Sequence, residues 1–170
     1  MVHVYTGNGK GKTTAALGLS ARAACAGIRV LIGQFLKGTE TSELCLPLRF
    51  PGLIEIEQYG TGDFVGRGGP SEEDGRKAME GLGRIRASIL SGGFGMVVAD
   101  EICVAVSLGL ITEAEVVGLA RGCPRSVELV LTGRGATPAI IEAADLVTEM
   151  VEVKHYFSDG EMPARKGIEY

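Results

Sequence analysis

The chain has 170 residues, 45% of them apolar, a formal charge of −4 and a mean hydropathy of +0.21, which is one domain's length with enough apolar material for a core and excludes disorder. Its 17 basic and 21 acidic residues leave no basic face for nucleic acid, and no apolar run is long enough to span a membrane. Met1–Gly7 lacks the charged and apolar regions of a secretory signal, and the four cysteines, Cys25, Cys45, Cys103 and Cys123, form no C-x-x-C pair, so a single cytoplasmic domain over 1-170 with reduced thiols is expected.

Short β-rich runs alternate with helical patterns, which predicts an α/β domain with a parallel sheet. Val2–Thr6 reads as a strand that runs into a glycine-rich segment, Thr6 to Thr14. Ala15–Ala26 reads as a helix closed by Gly27, and Ile28–Phe35 as a buried strand. Lys37 to Pro51 reads as irregular. Leu53–Tyr59 alternates like a half-solvated strand, and the glycines of Gly60 to Pro70 suggest a mobile loop. Ser71 with the acids after it starts a helix to about Leu90, weakened in its middle by Gly81 and Gly83.

Gly95–Asp100 is the next expected strand, and Thr112 with Glu115 fits a capping box opening a helix to about Arg121. Val127–Thr132 is a further strand. Thr137-Pro138 starts a short helix to Ala144, and Leu146–Tyr156 is the last strand, before a turn-rich tail. No repeat, linker or second domain is visible.

The strongest chemical signal is Gly7-Asn8-Gly9-Lys10-Gly11-Lys12-Thr13-Thr14 between a strand and a helix. Glycines let backbone amides curl around phosphate oxygens, and a helix N-terminus adds positive partial charge. In this pattern Lys12 neutralises phosphate and the Thr13 hydroxyl meets Mg²⁺. The standard loop begins with glycine at position 6; here Thr6 stands there and the glycine has moved to position 7. Asp100-Glu101, at the end of an apolar strand, is where a phosphate-loop protein places the acid of its Mg²⁺ shell. Glu101 has two readings: to polarise a water, or to help bind the ion or a ribose. In a parallel sheet, Gln34, Lys37-Gly38 and Thr132-Gly133-Arg134 share that carboxyl edge, where ligands bind. His155 is placed on the last strand and His3 is read as structural.

The segments VYTGNGKGKTTAALGLSARAA, GIRVLIGQFLKG, VVADEI, LVLTGR, ADLVTEM and VKHYFSDGEMPARKGIEY together resemble the ATP:corrinoid adenosyltransferases of the CobA/CobO/BtuR type. The resemblance spans Val4 to Tyr170 and is poor between Thr39 and about Gly95; the displaced first glycine is itself a family feature. It implies a three-layer α/β/α domain with a RecA-like phosphate-loop NTPase core, usually a homodimer. The implied reaction moves the 5′-deoxyadenosyl group of ATP onto the cobalt of a reduced corrinoid, cob(I)alamin or cob(I)yrinic acid diamide, and releases triphosphate. ATP lies reversed in the loop, and a flavoprotein reductase supplies cobalt(I).

By the same resemblance, Lys12 and Glu101 are catalytic. Gly7, Asn8, Gly9, Lys10, Gly11, Lys12, Thr13 and Thr14 form the phosphate site, with Arg22 as a further nucleotide contact; Arg134 is a candidate contact from its place on the carboxyl edge alone, where it could equally be a solvated charge. Thr13, Asp100 and Glu101 hold Mg²⁺ or Mn²⁺. Two features depart from the family. Many members carry an N-terminal extension over the active site, whereas this sequence begins at the first strand. The family's middle-loop aromatic pair is represented only by Phe64, since tryptophan is absent. Two other readings use fewer of these residues: an ATPase or kinase in which Glu101 positions water, and a regulator that binds nucleotide or corrinoid without turnover.

Overall fold

The computed structural model describes residues 1–62, 69–156 and 163–170. Among them six strands form one parallel sheet: β1 (Val2–Thr6), β2 (Val30–Phe35), β3 (Ile54–Tyr59), β4 (Met96–Asp100), β5 (Glu128–Thr132) and β6 (Leu146–Glu149). Their order is β3-β2-β4-β5-β1-β6, and every pairing is parallel.

The sheet is covered on both faces, and the apolar runs show why. Successive strand residues point to opposite sides, so Val97 and Ala99 of β4 join one core while Met96 and Val98 join the other. The first core includes Leu82 and Ile85 of α3 (Glu72–Leu90), Ile102 of α4 (Ile102–Ser107), Val116 of α5 (Glu113–Arg121) and Ile140 of α6 (Pro138–Glu142). The second is closed by Ala16, Ala23 and Ala24 of α1 (Lys12–Cys25), with Leu46 of α2 (Leu46–Arg49) packed against it. The expected three-layer α/β/α fold is therefore present.

Local chemistry sets three of the helix starts as anticipated. Ser71 and Asp74 form a reciprocal capping box at α3, and Thr112 and Glu115 form another at α5. Thr137 caps α6, with Pro138 in its first turn.

Four expectations change. Helix α1 starts at Lys12, three residues before the predicted Ala15, because Gly11 turns the chain at φ 123°. The stretch read as irregular contains a 3-10 turn, Ser42–Cys45, and then α2 with Pro47 in its first turn. A short helix, α4, follows Glu101 where no element was expected. Strand β6 ends at Glu149, so His155 lies beyond it.

Gly81 is a weak point of α3 by helix propensity, but the packing requires it. A Cβ there would stand 2.5 Å from the Tyr59 ring, whereas one at the exposed Gly83 meets nothing within 4 Å. Gly83→Ala should therefore stabilise the fold by about 0.5–1 kcal/mol through helix propensity. Gly81→Ala should destabilise it by about 1–3 kcal/mol through overpacking. Urea-unfolding midpoints of the two variants test this opposition of sign.

Candidate functional site

The carboxyl ends of β1, β2, β4 and β5 meet at one edge of the sheet. From β1 the chain turns through Gly7, whose φ of 94° is open to glycine and strained for other residues. The chain leaving β6 presses against this loop. A Cβ on Gly7 would lie 2.4 Å from the Met150 carbonyl oxygen, and one on Gly9 would lie 2.8 Å from it. The Gly9 amide donates to that same oxygen at 2.7 Å. Close backbone approach thus accounts for two glycines of the loop, and the Gly9 amide is committed to Met150.

Lys12 is buried and reaches back across the loop. Its Nζ donates to the Gly7 carbonyl at 2.7 Å and to the Gly9 carbonyl at 2.8 Å. Burial lowers the pKa of this ammonium, and Glu101 acts in the opposite direction. Thr13, one residue on, donates from Oγ1 to Asp100 Oδ1 at 2.8 Å.

Asp100 is 1% exposed. A buried carboxylate is costly unless paired, and Asp100 is paired through both oxygens. Oδ1 also accepts from Thr132 Oγ1 at 2.7 Å, while Oδ2 accepts from Lys37 Nζ at 3.1 Å. Burial opposes the charge on Lys37, but Asp100 and Glu43 outweigh it and raise its pKa. Glu101 follows in the left-handed region at φ 63°, a placement costing on the order of 1–3 kcal/mol for a residue with a side chain. Its amide is held by Thr132 Oγ1 at 2.9 Å. Burial first, and then the Asp100 charge, raise the Glu101 pKa.

A cleft of about 740 Å³ opens above these groups, between the loop, residues 42–46 and the chain's last four residues. The tail is fastened across it. Lys10 Nζ donates to the Ile168 carbonyl at 2.8 Å and lies 3.7 Å from Glu169. Ser42 Oγ donates to the Tyr170 carbonyl at 2.9 Å. Glu169 accepts from Tyr156 OH and from the Arg165 amide, the latter at 2.7 Å, and Arg165 lies over the Tyr156 ring. Hydrogen bonds from Arg165 and Tyr156 hold the Glu169 pKa down to about 2.

The structure brings together Lys12, Thr13, Thr14, Glu101 and Arg134 at the cleft, with Asp100 beneath Thr13. Lys10 lines the cleft too, but its ammonium serves the tail. Asn8 is exposed at the loop. Arg22 is elsewhere: ten residues along α1 is about 15 Å, and it lines a separate recess with Met1, His3 and Glu128. Phe64 lies outside the described residues. Sequence reasoning missed Glu43, on a 3-10 turn inside a stretch read as irregular, and the Tyr156–Arg165–Glu169 fastening. The acid among polar loop residues and the odd closing K-G-I-E-Y were the available signals.

A family model described as ATP:corrinoid adenosyltransferase BtuR/CobO/CobP matches residues 1–170. A corrinoid adenosyltransferase of Pseudomonas aeruginosa is 39% identical over 169 residues, covering 98% of this chain and 82% of the relative. Another, from Escherichia coli K12, is 35% identical over 170 residues, covering 100% and 85%. Among solved structures, a KaiC-like protein of Pyrococcus horikoshii OT3 superposes with a TM-score of 0.57 at 16% identity, covering 87% of this chain and 70% of that one. That last likeness concerns the fold.

Thiol chemistry offers a check on the cleft. Cys25 and Cys45 are exposed and Cys45 lines the cleft, whereas Cys103 is buried with a pKa pushed up to about 12 by burial and by Glu101. Iodoacetamide should label Cys25 and Cys45 of the folded chain and spare Cys103. Mg-ATP should slow labelling at Cys45 alone. Peptide mass spectrometry reads both, and equal protection of Cys25 would count against the cleft as the nucleotide site.

Proposed function

The chain belongs to the ATP:corrinoid adenosyltransferase family, and from that premise we propose how its cleft performs the family reaction. The enzyme transfers the 5′-deoxyadenosyl group of ATP to the cobalt of a reduced corrinoid. Cobalt(I) donates an electron pair to the ribose 5′ carbon, the carbon–oxygen bond breaks, and its electron pair leaves on triphosphate. A protein nucleophile is therefore unnecessary. The task left to the protein is to hold the triphosphate, stabilise the charge that grows on it, and face the 5′ carbon toward the corrin.

The observation that carries this reading is the arrangement of Lys12 and Thr13 over the buried Asp100. Lys12 exchanges the Gly7 and Gly9 carbonyls for phosphate oxygens, and the amides at the start of α1 add positive potential. Arg134, exposed at the rim, adds a further cation on the same side. Arg22 faces its own recess and is left out of this scheme.

The donor set suits Mg²⁺ or Mn²⁺. Thr13 Oγ1 and Asp100 are hard oxygen donors 2.8 Å apart, and Glu101 lines the same cleft. Such ions take one or two carboxylates and fill the rest of the shell with phosphate oxygens and water. The bound ion supplies charge neutralisation on the triphosphate. Glu101 stays in place through its left-handed backbone and the Thr132 hydroxyl.

A flavoprotein that delivers the low-potential electron, a homodimeric assembly and a cytoplasmic site complete the proposal. Four free thiols suit a reducing compartment. Among the described residues, no helix is long and apolar enough to cross a membrane.

The deciding assay is anaerobic, with Mg-ATP and chemically reduced cob(I)alamin, reading the light-sensitive cobalt–carbon spectrum and the phosphate product. Adenosylcobalamin with triphosphate is the expected result; ADP and phosphate would instead make Glu101 the base of a hydrolase. Lys12→Ala should lower turnover by about 10²–10³. An unchanged rate in that variant would remove Lys12 from the reaction.

A further inference from the structure

Lys37 is a cation at the cleft that the scheme above leaves unused, and the fold goes to some length to place it. It stands two residues beyond β2. Leu36 before it adopts a left-handed conformation, φ 62°, which costs about 1–2 kcal/mol for a side chain of this kind. After it, Gly38 packs backbone to backbone on the chain leaving β3. A Cβ on Gly38 would lie 2.4 Å from the Gly60 carbonyl oxygen, and one on Gly60 would lie 2.5 Å from the Lys37 nitrogen. Lys77 Nζ ties down that Gly60 carbonyl at 2.8 Å.

The side chain is equally constrained. Its Nζ lies 3.1 Å from Asp100 Oδ2 and 3.3 Å from Glu43 Oε1. Glu43 Oε1 also accepts from Gln34 Nε2 at 2.8 Å, and the fully buried Gln34 accepts in turn from Gln58 at 3.2 Å. Lys37 therefore sits between two carboxylates, one beneath the phosphate loop and one on the Ser42–Cys45 turn, and both Lys37 and Glu43 line the cleft.

We propose that Lys37 is a resident counter-cation of the nucleotide site, which competes with the divalent ion for Asp100 and supports triphosphate binding when that ion is absent, with Glu43 as its alternative seat. The inference rests on the reading of the cleft as a nucleotide site. An ammonium in contact with Asp100 reduces the negative potential that a divalent ion meets there, yet the same charge attracts a polyphosphate. Displaced from Asp100, it has Glu43 at hand and is not left unpaired in a partly buried position.

Calorimetric ATP binding to the full chain, in EDTA and in excess Mg²⁺, tests this without any corrinoid. Lys37→Met should weaken ATP binding about tenfold in EDTA and less than about threefold in excess Mg²⁺. It should also lower the Mg²⁺ concentration that half-saturates the ATP complex, by about threefold or more. Lys37→Arg should restore metal-free binding. Glu43→Gln, which frees Lys37 for Asp100, should move the Mg²⁺ requirement the other way. A Lys37→Met variant weakened equally in both buffers, or in neither, overturns the proposal and leaves the adenosyl-transfer reading standing. If Lys37→Met does not fold by circular dichroism, the direction of the Glu43→Gln shift decides, and a lowered or unchanged Mg²⁺ requirement overturns the proposal. Absence of ATP binding by the unaltered chain in both buffers would overturn both readings.

Discussion

Asp100 carries a charge at a point almost closed to water, and the chain around it is arranged to satisfy that charge. Thr13 from the first turn of α1, Thr132 from the end of β5 and Lys37 from the loop after β2 all donate to it. Each comes from a different segment, so the carboxylate fixes the mutual position of the segments that frame the cleft. Removing one partner would leave a buried anion undersatisfied, which is far costlier than losing a surface pair. Parallel pairing makes the arrangement possible. Gln34 of β2 stands beside Asp100 of β4 in register, and β4 lies between β2 and β5 in the sheet, so strand ends from both sides reach one carboxylate.

Glu101 shows the same logic with strain added. The chain must stop its strand at Asp100 and start α4 at Ile102, leaving one residue to make the corner. That residue takes a left-handed conformation despite its side chain, and it delivers a carboxylate to the cleft. Local strain held by a surrounding packed structure is a feature of functional positions. Here the hydrogen bond from the Glu101 amide to Thr132 and the buried Ile102 and Cys103 just after it hold the corner.

Much of the architecture was legible. Continuous apolar runs marked the buried strands, and Ser71 with Asp74 and Thr112 with Glu115 marked two helix starts, because both signals are local. Helix α4 was illegible for the converse reason: Ile102–Ser107 is apolar and rich in β-branched residues, and its helical form is imposed by packing on the sheet. At the site, the loop, Lys12 and Thr13 stood out by their spacing between a strand and a helix, and Asp100 by its place at the end of an apolar strand. The diversion of Lys10 to Ile168 did not, since its partner lies 158 residues away. Nor did the place of Arg22, which depends on how far α1 carries it from the loop. Glu43 was hidden because its importance arises from Lys37 and Gln34, neither of which is its neighbour in sequence.

The contact between the phosphate loop and the chain leaving β6 couples two parts of the molecule that differ in robustness. Strand β6 has all four residues exposed, and among the described residues it is an edge strand paired to β1 alone. Met150, next along, receives the Gly9 amide on its carbonyl and donates its own amide to Thr6. Opening of this edge would therefore remove one of the loop's anchors. The loop is held from within by Lys12 and from outside by the margin of the sheet, through Met150. Bound nucleotide, by holding the loop, would in turn slow hydrogen exchange along β6, some distance from any phosphate.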